Sequence, residues 1–235
     1  MLNTTLLRDF CSSFYGYGAL DAAHWFISME EGGGASEQEI ETRINAWSKR
    51  GRSELEDVAE YHHEISQAKW FARHPPIQRT WAAMIRIVLS FDSLATDVET
   101  VRLYQRDRLG RREGLTRLSP LLPLPSKSLD HWHYDAWTQD QAFVSRVKYR
   151  EAFAATRVKH LAQAVTALQP KTVTFLGLSY MSYWQQIACT KLVAHADLGH
   201  VGKANSTSFI VCKHPAVKGV PNEYFVDVGQ SHRAA

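Results

Sequence analysis

His24-Trp25-Phe26-Ile27-Ser28-Met29-Glu30-Glu31-Gly32-Gly33-Gly34 is an apolar run that stops at two carboxylates and three glycines. A polar, helix-favouring segment follows from Ser36. The run reads as a short buried strand over about Ala23–Met29. A strand that ends in a glycine-rich turn and feeds a helix is how an α/β protein places chemistry at the carboxyl end of its sheet. Glycine lets backbone approach a ligand closely, and amides at a helix start can face an anion. A simple phosphate loop does not account for the carboxylates.

Three further apolar runs read as strands: Leu115–Leu118, Lys171–Leu178 and Ser208–Lys213. Helical patterns separate them. Trp81, Met84, Ile85 and Val88 fall at i, i+3, i+4 and i+7 and predict an amphipathic helix over Ile77–Ser90. Gln141–Leu168 predicts a long helix that Pro170 ends, and Tyr180–Cys189 a shorter one. Residues 36–70 predict two helices broken at Gly51, and residues 1–20 a short helix capped by Asn3 or Thr4. Phe14-Tyr15-Gly16-Tyr17-Gly18 then reads as a tight turn. Strand and helix alternate along the chain, which predicts a parallel sheet covered on both faces. The expected architecture is α/β: a three-layer α/β/α sandwich around a central, mainly parallel, four-stranded sheet. The 235 residues are expected to form one domain, 1–235.

Composition excludes several classes. No window approaches the roughly 18 apolar residues of a transmembrane helix, so no membrane partner is expected. Met1–Tyr15 carries Arg8 and Asp9 and lacks the apolar run of a signal peptide. Cys11, Cys189 and Cys212 are far apart, with no CxxC pair, so neither a zinc site, an iron–sulfur cluster nor a disulfide framework is implied. A reducing cytoplasm is the simplest compartment. The net charge of +3 is too mild to indicate nucleic acid by itself, so that inference must come from clustering. Residues 99–117 supply a cluster: Arg102, Arg106, Arg108, Arg111, Arg112 and Arg117. It reads either as a solvated face or as a phosphate-facing patch, since arginine makes planar, forked contacts to phosphate.

Two strand ends carry chemistry: Glu30-Glu31-Gly32 after the first, and His214-Pro215-Ala216 after the fourth. In a parallel sheet both ends open on one side. A carboxylate can position or deprotonate water, and a histidine can hydrogen-bond a departing anion. Taken singly, each signal has a plainer reading. A His-Pro is commonly a turn, and glutamates before a helix serve its dipole.

Together the two motifs resemble the uracil-DNA glycosylase superfamily. Ile27-Ser28-Met29-Glu30-Glu31-Gly32 is similar to that family's first motif, and Val211-Cys212-Lys213-His214-Pro215-Ala216 to its second. The resemblance implies a catalytic, water-activating Glu30 and a His214 that contacts the extruded base. It implies a base pocket from Met29, Glu31, Gly32 and Gly33, with Phe71 stacking on the base and Trp70 or Tyr17 as alternatives. Lys213, Lys218, Arg79, Arg111 and Arg112 are then the expected grips on DNA. Glu31 stands where the family often has proline. The second strand leaves through Leu118-Ser119-Pro120-Leu121, without the asparagine with which the family commonly reads uracil. The implied activity is therefore that of a monofunctional DNA glycosylase acting on a modified base. Glucosylated hydroxymethylcytosine of phage DNA is the expected example, with antiviral defence as the setting. DNA is the expected partner, with no obligate protein partner and no cofactor.

Three alternatives stand beside this: a glycosylase for uracil, a non-catalytic nucleic-acid-binding module on the same fold, and a different α/β hydrolase or nucleotide-binding enzyme. Absence of GxxxxGK[ST], GxGxxG and GxSxG weakens the last. A metal site from Glu30, Glu31 and His214 has no ligand-spacing signature, so no metal is assigned.

Overall fold

The four expected strands form, and they lie side by side. They are β2 (His24–Ser28), β4 (Thr116–Pro120), β5 (Thr172–Leu176) and β8 (Thr207–Cys212). The computed structural model describes residues 1–128 and 130–235. Leu129, at the head of the aromatic-rich segment that runs to Trp137, lies outside the described residues. Neighbouring strands in the order β4-β2-β5-β8 are parallel. Covered on both faces, they are buried almost throughout, which is why they read as continuous apolar runs rather than as alternation.

Their polar residues survive inside by pairing. His24 Nδ1 meets Thr172 Oγ1 at 3.0 Å. His232 bridges Thr174 Oγ1 and Ser208 Oγ, both at 2.9 Å. Arg117 is fully buried, donates to Ser119 and Glu54, and lies 4.1 Å over the Trp25 ring.

The expected four-stranded sheet is too small. Among the described residues the sheet has eight strands and is mixed, in the order β3-β1-β4-β2-β5-β8-β7-β6, with helices on both sides. Gly16-Tyr17-Gly18, expected as a turn, is strand β1 (Gly16–Gly18), antiparallel to β4 and parallel to β3 (Leu55–Glu56). Its glycines reflect close approach rather than bending. A Cβ on Gly16 would stand 1.9 Å from the Leu118 carbonyl oxygen, and one on Gly18 2.1 Å from that of Thr116. At the other edge, β6 (Val193–His195) and β7 (Gly199–Ala204) form an antiparallel hairpin on β8.

The helices are α1 (Thr4–Ser13), α2 (Glu37–Lys49), α3 (Val58–Glu64), α4 (Arg79–Phe91), α5 (Val98–Asp107), α6 (Tyr134–Trp137), α7 (Arg146–Leu168), α8 (Met181–Ala188) and α9 (Asn222–Ala234). The long helix expected from Gln141 is interrupted. Gln141–Phe143 is a 3-10 turn, and Ser145 then caps α7 by accepting from the Lys148 amide. Ser36 caps α2 in the same way. Helix α4 is buried nearly all round because α9 covers its outer face. Among the described residues no helix is long and apolar enough to cross a membrane.

Register fixes what this fold positions. Ser28 pairs with both Pro120 and Leu176, and Leu176 pairs with Cys212. The four parallel strands therefore end in one row. Residues just beyond it, Met29–Glu31, Leu121–Leu122, Gly177 and Lys213–His214, share one rim.

Candidate functional site at the carboxyl rim

Beyond the row, the chain after β4 stays alongside the chain after β2. The Leu121 amide donates to the Ser28 carbonyl, Leu122 to Met29 and Ser126 to Glu31. The chain bends at Met29 and Glu30, and the side chains of Glu30 and Glu31 diverge, each to a different helix.

Glu31 turns toward α2. Its Oε2 accepts from Arg43 Nη1 at 3.3 Å and from the Tyr17 hydroxyl at 3.2 Å. Burial pushes the Glu31 carboxyl up, against the pull of Arg43 and of the Tyr17 hydroxyl. Arg43 also faces Glu39 at 3.5 Å, and the Glu39 carboxylate accepts from the Gly34 and Ala35 amides. One arginine thus ties both ends of the glycine loop to α2. The three glycines are not equivalent. A Cβ on Gly34 would stand 2.3 Å from the Pro125 carbonyl oxygen, and one on Gly33 2.8 Å from Glu39 Oε1. Both have positive φ, +74° and +121°. Only Gly32 faces open space, so room beside a ligand exists there and not along the whole triplet. Met29 is buried.

Glu30 turns toward α7, and its side chain is 9% exposed. Arg146 Nη1 pairs with Glu30 Oε2. Arg146 Nη2 donates to Ser126 Oγ and to the Ser128 and His131 carbonyls, and the guanidinium lies 5.2 Å over Trp132. Arg150, one turn on, brings Nη2 to 3.9 Å from Glu30 Oε1 and lies 5.8 Å over the Tyr180 ring.

Tyr180 leads round the rim to the second motif. A Cβ on Gly177 would stand 3.5 Å from the Tyr180 ring and 4.0 Å from His214 Cβ. His214 Nδ1 accepts from the Ala216 amide at 3.1 Å, which leaves the proton on Nε2. Burial holds the imidazole below its ordinary value, so at neutral pH it is an uncharged hydrogen-bond donor. The Tyr224 hydroxyl secures this loop, accepting from the Lys213 amide and donating to the Leu198 carbonyl at the hairpin tip.

The expected DNA-contacting residues divide. Lys213 and Lys218 are exposed on the His214 loop, and Arg79 Nη2 donates to the Val217 carbonyl of that loop. Arg111 and Arg112 lie before β4, at the opposite rim. There Arg111 pairs with Asp57 at 2.8 Å and Arg112 with the buried Glu56 at 3.5 Å. The arginine run is largely structural in the same sense: Arg102 pairs with Glu99, Arg106 with Asp107, and Arg117 is inside. Phe71 is not beside Glu30. It packs on His62 and Trp81, and the rings of His62 and Tyr17 come between it and Glu31. Phe71 lines a cleft of about 780 Å³ with Arg50, His63, Arg73 and Arg106. Trp70, its sequence neighbour, packs edge-on against Trp81.

Among the described residues the exit of β4 presents nothing polar to a base. Ser119 Oγ accepts from Arg117, Leu121 and Leu122 are fully buried, and Arg157 occupies the Pro120 and Leu121 carbonyls. Arg146, Arg150 and Tyr180 escaped the sequence reading; Arg146 is 116 residues from its partner Glu30, which no spacing rule bridges. Among the described residues no group of three His, Cys, Asp or Glu side chains could hold a metal ion. Comparison with protein families finds none whose model matches this chain, and comparison with curated proteins finds no match either.

Proposed function

We propose that the chain is a DNA glycosylase of the uracil-DNA glycosylase type, a three-layer α/β/α sandwich with the four parallel strands at its centre. It hydrolyses the N-glycosidic bond of an extruded, modified base. The observation that carries this reading is the placement of Glu30 and His214 at one rim, on strands separated only by β5. Strands two apart lie about 10 Å from each other, which suits two groups acting on opposite parts of one nucleoside. Water oxygen bonds to the sugar C1′ and gives its proton to Glu30. The C1′–N bond breaks, and its electron pair leaves on the base. His214 Nε2–H donates a hydrogen bond to that departing anion. Lys213, Lys218 and Arg79 supply cations beside it for the phosphate backbone. A base within a duplex is unreachable, so it must be flipped out first.

A modified base is favoured over uracil by the β4 exit, where no free amide or hydroxyl is available to read a Watson–Crick edge. Glucosylated hydroxymethylcytosine of phage DNA is the substrate we assign, with the open side of Gly32 receiving the appended sugar. Cytoplasmic action against phage follows from that substrate. The test is mass spectrometry of bases released from uracil-containing and glucosylated phage DNAs. Release from the glucosylated DNA is expected, and Glu30→Gln should lower it on the order of a hundredfold or more while DNA binding persists. Binding without release from any DNA would make the protein a binding module instead. Release from uracil DNA alone would reverse the assignment of the base.

A further inference from the structure

The two arginines facing Glu30 are used differently. Arg146 is anchored, its Nη1 pairing with Glu30 and its Nη2 donating to Ser126, Ser128 and His131, although its Nε, like that of Arg150, meets no partner among the described residues. Among the described residues Arg150 makes the 3.9 Å approach to Glu30 Oε1 and the contact with the Tyr180 face. Glu30 Oε1 and Arg150 Nε are both buried and, among the described residues, meet no hydrogen-bond partner. A buried acceptor and a buried donor left in this condition are costly unless a further partner reaches them, and of the two it is Oε1 that faces Arg150, at its Nη2.

The spacing identifies what fits. Two hydrogen bonds of about 2.8 Å meeting at a right angle span about 4.0 Å, close to the 3.9 Å separating Oε1 from Arg150 Nη2. Resting on the glycosylase reading, we propose that Glu30 Oε1 and Arg150 Nη2 form a two-point seat for the attacking water. The water donates one O–H to Oε1 and accepts from Arg150 with one lone pair. Its other lone pair is left to bond to C1′. The O–H proton passes to Glu30 as the C1′–O bond forms, and the electron pair of the C1′–N bond departs with the base. Arg146 fixes the carboxylate through Oε2, and Arg150 selects the orientation of the nucleophile. A groove of about 490 Å³ between α7 and α8, lined by Val147, Arg150, Glu151, Tyr183 and Gln186 among others, opens Arg150 to solvent.

Two measurements test this. A high-resolution crystal structure of the free protein should show an ordered water within hydrogen-bonding distance of both Glu30 Oε1 and Arg150. Its absence overturns the proposal even for an active enzyme. Single-turnover base release by Arg150→Met should fall on the order of a hundredfold, the loss expected of a misplaced reactant, with DNA affinity and melting temperature unchanged. Arg150→Lys, which retains a donor, should recover part of that loss. A rate within twofold of wild type overturns the proposal. So does weakened DNA binding with an unchanged chemical step, which would make Arg150 a phosphate grip. An ordered water in a wild type that releases no base from any DNA would remove the glycosylase reading, and the water's role as nucleophile with it.

Discussion

Glu30 and Glu31 are adjacent and chemically identical, yet the fold gives them different work. Glu31 is held by Arg43 and Tyr17 in the α2 layer, where it closes the glycine loop. Glu30 faces the paired arginines of α7. Replacing Glu31 with alanine leaves the 9%-exposed Arg43 facing only Glu39 at 3.5 Å. Breaking a buried pair from one side costs about 3–5 kcal/mol, so Glu31→Ala should lower the melting temperature markedly in thermal denaturation. Glu31→Gln retains an oxygen for the Tyr17 hydroxyl and should cost less. Glu30→Gln should cost little stability, since Arg146 keeps three other acceptors. Equal melting losses for Glu31→Ala and Glu30→Gln would contradict this division. The sequence made Glu30 and His214 legible because each closes an apolar strand run. It hid the partners of the two glutamates because Arg43 lies 12 residues from Glu31 and Arg146 lies 116 from Glu30.

Elements were legible where burial on both faces made them long and apolar, as in β2, β4, β5 and β8. The edge strands were not. Strand β3 has two residues, and β6 is exposed along its whole length, so neither offers a hydrophobic period. Strand β1 was misread because glycine signals both turns and close contact, and here the β4 carbonyls decide for contact. Helix α9 hides its logic in one residue. A Cβ on Gly229 would lie 2.0 Å from Ser90 Oγ and 2.2 Å from the Ile87 carbonyl oxygen, so α9 seats on α4 backbone to backbone. Gly229→Ala gains helix propensity and still should destabilise, because overpacking a rigid contact costs about 1–3 kcal/mol. Gly229→Leu should cost more. A lower urea midpoint, greater for leucine than for alanine, is the expected result; a stabilised Gly229→Ala would show that α9 docks loosely. Losing α9 would also unsettle the far rim, since Tyr224 in its first turn pins the His214 loop.

The whole molecule separates its charged groups by rim and its histidines by depth. Glu30, His214, Arg146, Arg150, Lys213 and Lys218 gather at the carboxyl rim, while Arg111 and Arg112 brace the opposite end against Asp57 and Glu56. Three histidines lie inside. Burial holds His24 and His62 down to about 4 and His232 down to about 3, against an ordinary value of 6.5. Below pH 6.5 the unfolded chain binds protons at these sites that the folded chain refuses, so stability falls with pH down to the folded values. Each site removes on the order of 1 kcal/mol per pH unit in that window. Glu31 and Glu56, both pushed up by burial, oppose the trend in their own range. Glu54, held down by His160, and Asp140, held down by Arg8, add to the loss at still lower pH. The melting temperature should therefore be nearly flat between pH 7 and 8 and drop steeply between pH 6.5 and 4. His62→Gln, whose amide can still donate to the Val58 carbonyl that His62 Nδ1 now reaches at 2.7 Å, removes one titrating site. It should lower the proton uptake on unfolding by one, read from the slope of unfolding free energy against pH. A slope unchanged by that substitution would mean that His62 is protonated inside the fold, and the pairing of its ring with the Val58 carbonyl would have to be reassigned.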